Sequence, residues 1–151
     1  MSCCSFVSNF GGVGGSSGGG SLTTYVIPEQ WAQNNVIASQ TEVVLECQLS
    51  TNFDTYKATK SGSLTGLSTR LTEPITAGTL LVEVIINGLV TNALQILHTA
   101  GSNPSGGIAT IAFGLLNYVA GDLISVVLTT NGAFLPITTD LEVMVQVSEI
   151  N

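Results

Sequence analysis

Few side chains in this sequence have chemistry to offer: three cysteines, one histidine and ten carboxylates. His98 is the sole histidine, so any serine or cysteine triad must recruit it. It closes the apolar run LVTNALQILH, with no nearby serine and acid and no strand–nucleophile–helix setting, and reads as an ordinary strand-end or interface residue. Cys3 and Cys4 are adjacent, which is not a zinc spacing, and Cys47 alone cannot complete a site. Asp122, Asp140 and Glu142 would form a calcium site only if their loops converged, and no dense Asp/Asn loop supports that, so they read as solvated turn carboxylates. The run GGVGGSSGGG has no lysine, no preceding strand and no following helix, which excludes a phosphate loop and leaves a tether. The expectation is that the protein is not an enzyme and uses no cofactor and no metal.

The composition points instead toward contacts with other protein. Only 9% of residues are charged and the mean hydropathy is +0.47, yet no stretch reaches the roughly 18 uninterrupted apolar residues of a membrane span. Lys57, Lys60 and Arg70 are the only basic residues, so nucleic acid and anionic membrane surfaces would be repelled. The N-terminus lacks the charge and apolar core of a signal peptide, so release by lysis or assembly is expected. Asn103 precedes Pro104 and no other Asn-x-Ser/Thr acceptor occurs, so a glycan would be O-linked.

Two parts follow from these patterns. Residues 1–21 read as a connector, a Cys-containing apolar tip on a Gly/Ser tether, and residues 22–151 as a head of about 130 residues, enough for a full sandwich. The head reads as all-β: no apolar pattern at helical spacing persists, and short strands alternate with Gly, Asn and Pro turns. EVVLECQLS reads as one strand, with TYKAT a shorter one and Leu64 to Leu71 an irregular one. TLLVEVII sends Leu80, Val82, Val84 and Ile86 one way and turns back at Asn87-Gly88 into LVTNALQILH. GIATIAFG, LISVVLTT and LEVMVQVSEI complete the set, giving an antiparallel jelly-roll sandwich. Trp31, Tyr25 and Phe134 read as core or interface packing.

TLLVEVII and DLISVVL are apolar at nearly every position, which calls for cover on both faces. A second subunit is the expected cover, with Val82, Val84, Ile86, Ile124, Val126 and Leu128 in a trimer interface or the core.

The runs GSLTGLSTRLTEPITAGTLLVEVIINGLV and YVAGDLISVVLTTNGAFLPITTDLEVMVQV resemble the trimeric jelly-roll modules at the ends of bacterial and viral fibres. Among these are the C-terminal domains of collagen-like spore-surface glycoproteins, which share the tumour-necrosis-factor and complement type of sandwich. The similar features are the hairpin from Ala77 to Gly88, the AGD turn at Ala120 to Asp122 and the terminal strand. Gly-X-Y repeats are missing before the head, so a short connector stands where a collagen stalk would, similar to spore appendage subunits.

The resemblance implies a homotrimer that stacks into an extracellular homopolymeric fibre on a spore or cell, with a possible anchor protein. Phe6, Val7 and Phe10 would dock in a groove of the next subunit. Cys3 and Cys4 would form intermolecular disulfides in an oxidising setting, or stay as two free thiols, while Cys47 reads as a small buried thiol. The alternative is a viral or phage fibre-tip or capsid decoration protein that binds a receptor on a virion.

Overall fold

The strongly β-branched, apolar segments form long strands, and the computed structural model, which describes residues 22–27, 30–47, 54–101 and 106–150, folds them into two antiparallel sheets. One sheet holds β1 (Leu22–Val26), β2 (Trp31–Gln33), β4 (Glu46–Cys47), β6 (Gly62–Leu71), β9 (Gly107–Thr110), β10 (Asn117–Tyr118) and β12 (Leu141–Ile150). The other holds β3 (Val43–Val44), β5 (Tyr56–Lys57), β7 (Thr79–Ile86), β8 (Leu89–Thr99) and β11 (Leu123–Thr130). No helix occurs among the described residues. The chain crosses repeatedly between the sheets, giving the jelly-roll-like sandwich expected for the head.

The central strand of the seven-stranded sheet is β12. One edge pairs with β6 along eight residues, and the other takes β1 at its end and β2 at its start. Leu141, Val143, Val145 and Val147 alternate inward and are almost fully buried, against Leu80, Val82, Val84, Ile124, Val126 and Leu128 from the facing sheet. Trp31 and Phe134 are also buried in the core, and the Trp31 indole N–H donates to the Asp54 carbonyl at 2.9 Å. Ile86 packs against the core while only partly buried.

Two strand readings need correction. EVVLECQLS is not one strand: Val43 and Val44 pair with β11, while Glu46 and Cys47 pair with β2 in the other sheet. Leu45 turns the corner between them, buried, with its N–H on the Val126 carbonyl at 2.9 Å. A β-branched apolar run is equally compatible with a corner at which, among the described side chains, only Leu45 is buried, which is why the sequence looked uninterrupted. The Leu64 to Leu71 segment is a strand and carries its expected irregularity as a bulge opposite Gln146 and Val147, but it belongs to a longer one: β6 runs ten residues, internal to its sheet.

The cover on β7 and β11 also differs from expectation. Their outward residues Glu83, Ile85, Ser125 and Val127 are only 2–7% exposed within a single chain. Both strands are internal to the five-stranded sheet, flanked by β3, β5 and β8, and these positions are already buried within one copy. Exposed apolar side chains lie instead on the flanking strands and at strand ends, at Val43, Val44, Leu89, Leu97 and Leu123.

Candidate assembly surface

The outer face of the seven-stranded sheet carries a trough whose shape follows directly from residue size and register. Its floor is β6, which presents Gly66 and Ser68 outward. Ser68 pairs with Met144 on one side and Ile108 on the other; Gly66 pairs with Gln146 and Thr110. Small residues on the middle strand between larger ones on both flanks leave a groove of about 620 Å³ lined by Gln30, Ser68, Arg70, Ile108, Glu142 and Met144. A shallower extension of about 170 Å³ continues past Gly66 toward Gln146. Gln146 lies over Gly66, since a Cβ there would come within 2.6 Å of its Oε1.

The walls are apolar and the ends polar. Ile108 is 82% exposed and Met144 41%. At one end Arg70 and Glu142, paired across the strands, approach to 4.0 Å as an exposed ion pair of little energetic weight. At the other end Ser148 Oγ lies 2.7 Å from Thr24 Oγ1 and 3.1 Å from Thr65 Oγ1, a hydroxyl ladder joining β1, β12 and β6. Between the ends the trough has no formal charge, so covering it with protein would strand no ion.

Beneath one wall, the two sheets meet at a buried polar joint. His98 Nε2 lies 2.8 Å from Thr69 Oγ1, and the Gly107 N–H donates to the same oxygen at 2.9 Å. Burial holds the imidazole below its ordinary pKa, so His98 is neutral near pH 7. Gly106 adopts φ +113°, and a Cβ there would collide with the Thr69 carbonyl oxygen. His98 thus sits where the sequence put it, at a strand end, engaged in packing.

A second buried cluster surrounds Glu149, whose carboxylate the sequence reading overlooked. It accepts hydrogen bonds from the Tyr25 hydroxyl at 2.5 Å and the Tyr118 hydroxyl at 3.3 Å, with Lys60 Nζ 4.0 Å away. Burial, reinforced by the carboxylate, pushes Tyr118 up to about 12 and Tyr25 further still. Tyrosines spaced far apart in sequence gave no signal of this convergence.

The three carboxylates weighed for calcium do not converge, and no metal-holding group of side chains occurs among the described residues. Asp122 accepts from Asn87 Nδ2 and from the Val119 N–H, both at 2.8 Å, which holds it below the usual carboxylate range. Asp140 accepts from the Asn35 N–H at 2.9 Å, and Glu142 faces Arg70.

Phe6, Val7, Phe10, Cys3 and Cys4 lie outside the described residues, and so does the side chain of Cys47. The trough itself was missed in the sequence, because its signal is a pair of small residues whose meaning depends on the register of two neighbouring strands.

No family model and no curated protein matches the chain. Among solved structures it is similar to the capsid asymmetric unit of cyanophage Pam1, at 14% identity and a TM-score of 0.48, with 91% of each chain covered.

Proposed function

We propose that this chain is a non-enzymatic structural subunit that assembles with copies of itself: a homotrimer closed through the outer face of the seven-stranded sheet, stacked into an extracellular fibre. Residues 1–21 serve as the connector, with Phe6, Val7 and Phe10 docking on the next head and Cys3 and Cys4 locking the junction where the setting is oxidising. A spore or cell surface, or a virion, is where such a fibre works.

The observation that carries this reading is the trough between Ile108 and Met144. An isoleucine 82% exposed beside an exposed methionine, over an uncharged floor of Gly66 and Ser68, is a surface complementary to protein rather than to water. Burying each of the two side chains would contribute about 1.5–3 kcal/mol per contact, repeated around a closed ring.

Sedimentation of the protein, at micromolar concentration and in reducing buffer, tests the lateral contact. A trimer is expected for the wild type. Ile108→Asp and Met144→Asp should give folded monomers, because exposed substitutions scarcely affect folding, typically within about 0.5 kcal/mol, while an unpaired charge in the interface disrupts association. A monomeric wild type overturns the reading, and so does a trimer that tolerates both aspartates.

A further inference from the structure

Strand register sorts the loops of the sandwich onto two opposite ends. Leu22 pairs with Ile150, Asn117 with Ser63, Leu123 with Lys57, and Ile86 with both Leu89 and Ile124. These residues therefore share one end, from which the chain runs back toward residue 1. Loops 34–42, 72–78 and 131–140 share the other, tied together by Val36 N–H on the Thr139 carbonyl, Ser39 N–H on the Asn131 carbonyl and Thr76 N–H on the Leu135 carbonyl, at 2.9–3.2 Å.

The two ends are alike in apolar exposure and unlike in charge. Leu89, Val119 and Leu123 are 42–74% exposed at the first end, and Ile37, Leu135 and Ile137 are 49–52% exposed at the second. Lys57 and Lys60, two of the three basic residues, lie at the first end and are exposed. Two carboxylates balance them: Glu149, buried among tyrosines with Lys60 Nζ 4.0 Å away, and Asp122, which holds Asn87 and the Val119 N–H, so the first end is close to neutral with Lys57 engaged by neither. The second end carries Glu42, Glu73 and Asp140. Two second ends facing each other would oppose carboxylates, whereas a first end facing a second end brings ammonium groups to carboxylates around matching apolar groups.

We propose that copies stack end to end with a single polarity, Lys57 and Lys60 of one copy facing Glu42, Glu73 and Asp140 of the next, around Leu89, Val119 and Leu123 packed against Ile37, Leu135 and Ile137. The proposal deepens the assembly reading above by naming the faces that meet along the fibre, and it rests on that reading for the unit that stacks. A contact between two different patches is heterologous and does not close on itself, so it propagates into an open filament. Ammonium groups that face carboxylates across the contact also make stacking stronger at low ionic strength.

Polarity has a signature that no symmetric contact shares: a variant blocked at one end stays unpaired on its own, yet binds wild-type units through its free end and terminates growth. Full-length Leu89→Asp and Ile137→Asp proteins, each checked for folding by circular dichroism, are therefore examined by sedimentation and electron microscopy. Neither should form filaments alone. About one Leu89→Asp unit per ten wild-type units should shorten filaments several-fold, and an equimolar mixture of the two variants should stop at paired units. Lys57→Glu, at an exposed position that leaves the apolar contacts intact, should raise the critical concentration about tenfold in 0.05 M salt and much less in 0.5 M. Filaments that ignore all three substitutions overturn the end contact while leaving the lateral trimer standing, and so does a wild type that stays trimeric at every salt concentration. Stacking with these capping effects but without lateral association supports the end contact and overturns only the lateral reading.

Discussion

The Thr69 hydroxyl oxygen lies 2.8 Å from Nε2 of the buried His98, and through that contact the seven-stranded sheet is pinned to the edge of the five-stranded one. Because burial lowers the His98 pKa, the unfolded chain binds a proton more readily than the folded one. Stability is then complete above about pH 6.5 and declines as the pH falls below it. Urea unfolding at pH 7.5 and 5.5 should show this loss in the wild type and a smaller one in His98→Gln. Thr69→Val, which strips the Gly107 N–H of its acceptor, should cost about 2–3 kcal/mol at either pH, and Thr69→Ser far less.

The cluster around Glu149 makes the opposite prediction at the alkaline end. Tyr118 ionises near 12 and Tyr25 higher, against about 10 in the unfolded chain, so their contribution is intact below pH 10 and lost as the pH rises from there toward 12. Absorbance at the phenolate band should show two tyrosines that ionise only as the fold opens. Tyr25→Phe should make the loss shallower and cost about 1.5–3 kcal/mol at neutral pH, the worth of a hydrogen bond to a carboxylate.

Gly106 should tolerate no side chain. With φ +113° and the Thr69 carbonyl in the space of its missing Cβ, Gly106→Ala should destabilise the fold by about 2–4 kcal/mol in chemical denaturation. Gly88→Ala, at φ +79° but with no atom near, should cost distinctly less.

Deleting residues 2–10 should separate stacking from trimer formation. A soluble, folded trimer that no longer forms filaments is expected by sedimentation and microscopy, because the lost contacts lie between trimers. Cys3→Ser with Cys4→Ser should leave filaments intact but less resistant to heat in oxidising buffer.

How much of this was legible in the sequence depended on whether the signal was local. β7, β11 and β12 stood out because Val, Ile and Leu recur along them, and Asn87-Gly88 announced its hairpin because the turn needs positive φ at both residues, as found at +53° and +79°. β1, β2 and β10 were missed: they run only two to five residues, too few to show a period, and acquire their conformation from the edges of β12, β6 and β4. The corner at Leu45 and the trough over Gly66 and Ser68 were illegible for a related reason. Whether a residue turns a corner or floors a groove is decided by strands far along the chain. Nor did apolarity on both sides of β7 and β11 require a partner, since Ile85 and Val127 are buried within a single chain.

The position of β12 sets the timetable of folding during synthesis. Among the described residues it follows every other strand in chain order, yet β1, β2 and β6 all bond to it, so during synthesis the seven-stranded sheet stays without its centre until residues 141–150 emerge. β6 and β2 meanwhile have an unpaired side apiece and β1 has no strand to pair with, the condition in which strands of nascent chains pair with the wrong partner. Closure spans more than a hundred residues from β1 to β12, so collapse of the whole sandwich is slow. Until that strand emerges, neighbouring nascent chains must be kept from pairing through these open edges.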